Sequence, residues 1–219
     1  MEIFNLDIAV ANFGPLLAGL LMTVELTLVV IVLSLVFALF VALGGLSRFA
    51  PLRWLVKAYV EAIRGTPLLL QLIYVYYVLP EIGIRLDSFI AGVIALTLNY
   101  SAYLSEVYRA GIQAIARGQH DAAAALGMTG PLAMRRIILP QAVRRMVPPF
   151  INEFATLMKL TTLGSVLAVN ELLHEAENLI NNTYRPLEVY TVVAILFGLM
   201  IYPFIWLSQR LEQRWKKSR

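Results

Sequence analysis

Residues 16–43 read LLAGLLMTVELTLVVIVLSLVFALFVAL, an apolar run whose only charged residue is Glu25. About 20 such residues in a helix cross the hydrocarbon core of a bilayer. The run is too long for the h-region of a secretory signal peptide, and residues 1–7 lack the basic n-region of one. We therefore predict that it is a retained membrane-spanning helix.

The composition of the whole chain agrees with a membrane protein. Of its 219 residues, 59% are hydrophobic and 15% are charged, and the mean hydropathy is +0.73. Soluble domains average about 45–50% apolar and about 25% charged residues, so disordered chains, fibrous proteins and most soluble enzymes are excluded. The chain has no cysteine, which excludes disulfide bonds and thiolate metal sites.

Four further stretches approach or exceed the length needed to cross a bilayer. Together with the first run, the predicted spans are 16–43, 54–79, 89–108, 149–169 and 189–207. No internal repeat or separate soluble domain is visible, so we predict a single domain over residues 1–219. We expect an all-α integral membrane protein with five transmembrane helices.

The distribution of basic residues predicts the orientation, because cytoplasmic segments are enriched in Lys and Arg. Three connecting segments together hold 14 of the 18 basic residues: 44–58, 109–147 and 208–219. The opposite segments hold two basic and eight acidic residues: 1–15, 80–88 and 170–188. We predict an external N-terminus, a cytoplasmic C-terminus and an external loop at 170–188. The net charge of +4 then requires no nucleic-acid partner.

The cytoplasmic segment 117–140 reads RGQHDAAAALGMTGPLAMRRIILP and predicts two short helices joined at an angle. Asp121 can cap the first helix or lie in its first turn, and Gly127 is a natural end. Pro131 can begin the second helix, and Pro140 is expected to end it. A slim, alanine-rich helix can lie in a groove of a partner protein; the alternative is a connector between two spans.

The same segment resembles the EAA loop of permease subunits of ABC importers. That pattern is an acidic residue and two alanines, a glycine four positions later, then Ile-x-Leu-Pro after nine residues. The matching positions here, with Asp where the family usually has Glu, are Asp121, Ala122, Ala123, Gly127, Ile137, Leu139 and Pro140.

Three other stretches resemble signatures of polar amino acid permeases in that family. Residues 64–71 read RGTPLLLQ and residues 103–111 read YLSEVYRAG. Residues 159–163 read KLTTL, similar to the family's Lys-x-Thr-Ser-Leu with Thr162 in place of Ser. The resemblance therefore covers nearly the whole chain.

The resemblance implies the fold of a type I ABC importer permease, with a short cytoplasmic coupling helix. Two such subunits, the same or sister chains, pair in the bacterial cytoplasmic (inner) membrane. Two cytoplasmic ATPase subunits receive the coupling helices, and a periplasmic or extracellular substrate-binding protein delivers an amino acid. The chain lacks the phosphate-binding pattern Gly-x4-Gly-Lys-Ser/Thr. We therefore expect no catalysis and no cofactor in this chain, with ATP and Mg²⁺ bound by the partner ATPase.

Lys159 lies midway along the span 149–169. A charge at the bilayer centre costs about 2.5–3.5 kcal/mol on insertion scales, which makes it a candidate for the substrate pathway, where it would pair with a carboxylate. Asn152, Thr161 and Thr162 add polar groups on the same span. The alternative is a structural ion pair with an acidic residue of this chain or of a partner subunit.

Glu25 and Glu153 are the candidate acidic groups of the pathway. Either carboxylate would bind a substrate ammonium group or a cationic side chain, or would pair with Lys159 as a structural contact. Asn99 lies in the middle of the third span, where a hydrogen bond between helices is the commoner role.

Two pairs of opposite charge are three residues apart, Glu61 with Arg64 and Glu106 with Arg109. Residues at this spacing share a helix face, so we expect each pair to neutralise itself near the cytoplasmic interface.

The two histidines, His120 and His174, fall on opposite sides of the predicted membrane, so we expect no metal site. An ATP-independent secondary carrier or channel is the main alternative function, although five spans without a repeat fit common carriers poorly. A membrane enzyme is the third, and no nucleophile elbow or metal motif supports it.

Overall fold

The structure is a computed structural model that describes residues 11–216. The charges at Glu2, Asp7, Lys217 and Arg219, which entered the orientation argument, lie outside these residues. The described chain is helical and contains no β-strand. Its α-helices are α1 (Phe13–Gly45), α2 (Ala50–Gly65), α3 (Leu68–Ile73), α4 (Ser88–Gln113), α5 (Arg117–Ala125), α6 (Gly130–Ala133), α7 (Leu139–Leu160), α8 (Leu172–Thr183) and α9 (Pro186–Lys216).

Helices α1, α4 and α9 are each long and apolar enough to cross a membrane. The main core lies where α1 packs along α4 and against the end of α7, and it buries Leu26, Val30, Leu96, Tyr100 and Leu157. The predicted spans 16–43, 89–108 and 189–207 are therefore confirmed as long helices, each extending beyond the predicted boundaries.

The second predicted span, 54–79, is a broken helix rather than a continuous one. Helix α2 ends at Gly65, and α3 continues at an angle of 104° as part of Leu68–Ile82. Pro67 disfavours helical backbone at the preceding residue, and Thr66 accordingly has an extended ψ of 144°. The two helices together form a bent pair that can cross the membrane as one broken span.

A network of side-chain amides holds this bend. The Nε2 atom of Gln71 donates to the carbonyl oxygen of Ile63 at 2.9 Å and to Oγ1 of Thr66 at 2.8 Å. Asn99 on α4 donates to Oε1 of Gln71 at 3.0 Å. The amide of Asn99 therefore fixes the broken helix against the third span.

The helix at the fourth predicted span, 149–169, begins earlier than expected, and it is not one of the described helices that are long and apolar enough to cross a membrane by themselves. Helix α7 starts at Leu139 and is followed by the 3₁₀ helix Thr161–Leu167. The predicted end at Pro140 is wrong, since the π turn Met134–Ile138 leads directly into α7. A proline is tolerated in the first turn of a helix, and the wider π turn before it gives its ring room.

The predicted external loop 170–188 contains helix α8. Glu171 caps this helix, because its carboxylate oxygens accept hydrogen bonds from the backbone N–H groups of Leu173 and His174 at 2.8 and 2.9 Å. Burial raises the pKa of Glu171 to about 7, although the two backbone hydrogen bonds act against this shift. Helix α8 begins against α1 at Gly19, where a Cβ atom would lie 2.9 Å from the Cα atom of Leu172.

Candidate functional site

Helices α5 and α6 form a helical elbow, defined here as residues 117–133. Helix α5 ends just before Gly127, as predicted, and this glycine adopts the left-handed conformation with φ of 71°. The N–H groups of Gly127 and Met128 donate to the carbonyl oxygens of Ala124 and Ala123 at 2.9 and 3.0 Å, the pattern of a Schellman C-cap. The second helix begins at Gly130 with Pro131 in its first turn, also as predicted.

The expected role of Asp121 at the start of α5 is wrong. The helix begins four residues earlier, at Arg117, and its N-cap residue is Ala116. Asp121 lies in the second turn and is exposed. Its carboxylate therefore makes no capping contact.

The surface of α5 is slim and partly apolar. Ala123 is buried against the body of the protein, whereas Ala122 and Ala124 are exposed. Leu126, at the tip of the elbow, is 79% exposed. Sequence reasoning missed Leu126, although its position directly before the helix-ending glycine is a usable signal. The second half of the helix thus exposes small side chains, and Leu126 adds one large apolar side chain.

The other predicted coupling residues lie at the base of the elbow. Ile137 is half-buried beside the cluster of Ile138, Ala142 and Met146, while Leu139 and Pro140 are exposed at the start of α7. These three residues connect the elbow to α7 and do not belong to the exposed surface of α5.

Two polar contacts and one close approach fix the base of the elbow. Arg145 on α7 donates a hydrogen bond to the carbonyl oxygen of Ala114, just after α4. The Nε2 atom of Gln141 donates to Oε1 of Gln119 at 3.0 Å. Gly111 on α4 packs so closely against Met146 that a Cβ atom would not fit without a shift. The helices that enter and leave the elbow are therefore joined beneath it.

Helix α7 carries a polar stripe, defined here as Asn152, Thr156 and Lys159. Asn152 and Lys159 are exposed and Thr156 is half-buried. Their spacing of four and three residues puts them on one face of the helix. Thr156, which donates to the carbonyl oxygen of Asn152 at 3.0 Å, was missed by sequence reasoning, although the spacing alone would have revealed it. A polar stripe of this kind is suited to a surface that faces water or another protein chain, since lipid tails cannot satisfy its polar groups.

Lys159 forms no ion pair with Glu25 or Glu153 within residues 11–216. Thr161 and Thr162, which follow it, donate to the carbonyl oxygens of Met158 and Lys159 at 2.8 and 2.7 Å. Their hydroxyl hydrogens are thus used by the local backbone, and Thr161 is fully buried.

The remaining pathway candidates occupy different environments. Glu153 is half-buried beside the polar stripe. Glu25 is exposed on α1 between the exposed side chains of Leu21 and Leu28. Asn99 is buried and bonded to Gln71. The structure therefore places Glu153 with Lys159 on α7 and leaves Glu25 and Asn99 on other helices.

Of the two expected charge pairs, one is confirmed. Arg109 binds Glu106 with a shortest distance of 2.6 Å. The expected pair of Glu61 with Arg64 is wrong, since Glu61 pairs with Lys57 at 3.7 Å. Arg64 instead lies over the ring of Tyr103, 5.3 Å from its centroid.

The end of α2 is therefore close to α4. Among residues 11–216, no group of three or more His, Asp or Glu side chains could hold a metal ion.

Comparison with known proteins agrees with this arrangement. The model of the family described as "Binding-protein-dependent transport system inner membrane component" matches residues 34–217. The L-cystine transport system permease protein TcyB of Bacillus subtilis is 37% identical over 95% of this chain and 90% of its own length. The probable glutamine ABC transporter permease protein GlnM of the same species is 38% identical over 98% and 99% of the two chains.

Two solved structures share the fold. An amino acid ABC transporter crystallised with histidines superposes with a TM-score of 0.93 at 37% identity, over 97% of this chain and 100% of that one. The MetNI methionine ABC transporter, in an inward-facing conformation, has a TM-score of 0.77 over 93% and 97% of the two chains. At 20% identity this second likeness shows the fold alone.

The chain belongs to the family of binding-protein-dependent transport system inner membrane components. The resemblance drawn from the motifs is thereby confirmed, and so is the all-α fold of an ABC importer permease. The protein is a membrane-spanning permease subunit.

Proposed function

We propose that this permease subunit belongs to an ATP-driven amino acid uptake system of the bacterial cytoplasmic membrane, with its N-terminus outside and its C-terminus inside. The main support for the proposal is the structure of the elbow, because a capped helix with a slim exposed surface can bind in a groove of a partner protein. The relatives named for cystine, glutamine and arginine support an amino acid as substrate.

The elbow would couple the permease to a separate ATPase subunit. Its exposed residues Asp121, Ala122 and Leu126 would enter the groove of the ATPase, and Gly127 would shape the tip. In this proposal, ATP and Mg²⁺ are bound and hydrolysed by that partner, and this chain needs no cofactor of its own.

Further subunits complete the proposed assembly. A second permease subunit, the same chain or a sister chain, would cover the polar stripe of α7 and enclose an aqueous pathway between the two. Two ATPase subunits would bind the two elbows, and a substrate-binding protein would dock on the external side.

The substrate pathway would run along the polar stripe. The ammonium group of Lys159 is available for a substrate carboxylate, and Asn152 and Thr156 add hydrogen-bonding groups. Glu153, on the same helix, would bind a substrate ammonium group or a cationic side chain. The other candidates would have an indirect role in the pathway, by stabilising the helices around it. Glu25 and Asn99 lie on other helices. The hydroxyl groups of Thr161 and Thr162 bond to the backbone.

Helix α7 offers a mechanical route from the elbow to this pathway. It contains 22 residues, which corresponds to about 33 Å at 1.5 Å per residue, and it joins the base of the elbow to Lys159 without a break. Closure of the ATPases on ATP would displace the elbow and tilt α7. ATP and the loaded binding protein would thereby favour one of two conformations of the pathway.

Reconstitution in liposomes tests the proposal directly. The permease with its co-purified ATPase and binding protein should import labelled amino acid only when ATP is present on the ATPase side. Import by the permease alone, at an equal rate without ATP, would support the alternative of a secondary carrier or channel.

A further inference from the structure

The turn between α1 and α2, together with the first half of α2, forms a basic and aromatic corner, defined here as residues 46–57. It contains three basic residues, Arg48, Arg53 and Lys57. Phe49 is 66% exposed, and Trp54 and Leu55 are each 68% exposed. Large exposed apolar side chains grouped with positive charge are typical of a helix at a membrane–water interface.

Helix α2 has the other properties of an interfacial helix. Of its 16 residues, only Val60 is buried, so most of its surface lacks a partner within the described chain. It is turned by 104° from α3, with which it forms the broken span. The ammonium group of Lys57 lies 5.5 Å from the centroid of the Trp54 ring. Tryptophan is enriched at the level of lipid headgroups, and a lysine beside it can extend its charge to that level.

The corner is continuous with the lipid-facing surface of α1. Phe37, Phe40 and Leu43, in the last turns of that helix, are all exposed and lead directly to the corner. The exposed apolar side chains of the corner thus continue the apolar surface of α1, which is suited to contact with lipid. The basic residues of the corner begin where this apolar helix ends. An occupant must therefore combine an acyl chain with a negative group.

The guanidinium of Arg53 is fixed at the corner by its own contacts. Its Nη1 atom donates to the carbonyl oxygens of Ser47 and Arg48, both at 3.2 Å, which leaves the other nitrogens for a ligand. Glu61 follows the corner along α2 and pairs with Lys57 at 3.7 Å, with both side chains largely exposed. The corner therefore keeps a net positive charge.

We propose that this corner binds the phosphate of an anionic glycerophospholipid in the adjacent leaflet, with Arg48, Arg53 and Lys57 as the phosphate ligands. Trp54 and Phe49 lie against the glycerol and upper acyl chain. The site is independent of the substrate pathway and of the elbow, and it gives the permease a preference for anionic lipid at a fixed position.

Native mass spectrometry of the purified full-length chain in detergent tests this, with phosphatidylglycerol and phosphatidylcholine supplied at equal concentrations. The wild-type protein should retain phosphatidylglycerol preferentially. The double variant Arg48→Gln/Lys57→Gln should lose about tenfold or more of that preference, since each basic residue near a bilayer surface contributes substantially to binding of anionic lipid. The matched control is Arg135→Gln/Arg136→Gln, which removes two exposed arginines elsewhere on the basic side.

Equal losses in the two double variants would overturn the proposal, because they would show a general effect of charge. If inorganic phosphate alone displaced the lipid, the proposal that a phospholipid is the ligand would be contradicted. A second permease chain is the competing occupant, and spontaneous disulfide dimers of Trp54→Cys in membranes would favour it. Should the double variant fold poorly, Arg48→Gln alone should show the same loss in smaller degree.

Discussion

Arg145 and Ala114 join the two helices at the base of the elbow: the guanidinium of Arg145 donates to the carbonyl oxygen of Ala114. Ala114 is the C-cap residue of α4, and the last carbonyl groups of a helix have no partner within it. A cation at this end is also attracted by the helix dipole. The contact therefore ties α4 to α7 at the base of the elbow.

Arg145→Ala should reduce uptake per ATP hydrolysed by about tenfold, since a hydrogen bond from a charged group is worth about 1.5–3 kcal/mol. ATP hydrolysis by the assembled complex should continue, and Arg145→Lys should restore part of the coupling. The measurement is the ratio of imported substrate to released phosphate in proteoliposomes.

The neighbouring Arg144→Ala is the matched control for that variant. Arg144 is exposed, and the described structure shows it in no hydrogen bond or ion pair. If Arg144→Ala and Arg145→Ala changed the ratio equally, the contact with Ala114 would have no special role in coupling.

Gly127→Pro should uncouple hydrolysis from uptake while the protein still inserts in the membrane. Proline fixes φ near −65°, whereas Gly127 has φ of 71°, and the hydrogen bond from its N–H to Ala124 would be lost. Gly118→Ala is the control, because a Cβ atom there meets nothing within 4 Å. Normal uptake in Gly127→Pro would contradict a mechanical role for the tip of the elbow.

Lys159→Ala should lower substrate uptake by about 10- to 100-fold, the range expected when a charge-assisted contact is lost, and Thr156→Val should cause a smaller loss. Assembly with the ATPase should be unchanged, because Lys159 is exposed and makes no ion pair in the described chain. Uptake kinetics with the complex purified to constant stoichiometry provide the measurement. Unchanged kinetics in Lys159→Ala would remove the polar stripe from the pathway.

Glu171 predicts a pH dependence of stability. Its pKa rises from 4.5 to about 7 on folding because the carboxyl group is buried. The folded protein therefore holds a proton that the unfolded chain releases between these values, so this contribution to stability is present below pH 4.5 and is lost as the pH rises through 7. The melting temperature in detergent should fall between pH 5.5 and 8.

Glu171→Gln should flatten this dependence, because the amide is neutral and its oxygen can still accept from the backbone of α8. Glu81→Gln, which removes an exposed carboxylate, should leave the slope as in the wild type. A slope in Glu171→Gln equal to that of the wild type would assign the pH dependence to another group.

The sequence predicted those features that depend on local chemistry or on long apolar runs. The end of α5 at Gly127 was predictable because a left-handed glycine conformation is set locally. Helix α1 was predictable as a span because exposing its long run of apolar side chains to water is unfavourable. The break after Gly65 was missed because the surrounding residues are apolar, so the effect of Pro67 on Thr66 was hidden within a continuous hydrophobic run.

Other features depend on contacts between distant residues. Pro140 remains within a continuous helical path because the preceding π turn admits it, and no local pattern predicts such a turn. Asn99 was recognised as polar within a span, but its partner Gln71 lies across a bend that the sequence did not show. The contact of Arg145 with Ala114 likewise follows from the packing of α4 against α7.

The side of the membrane on which the elbow lies tests the central claim most directly. The chain has no native cysteine, so Leu126→Cys gives a single, exposed site for a membrane-impermeant maleimide. We expect labelling in inverted vesicles stripped of the ATPase, protection when the ATPase is added back, and none in intact cells. Labelling of Leu126→Cys from the outside of intact cells would contradict both the orientation and the coupling role.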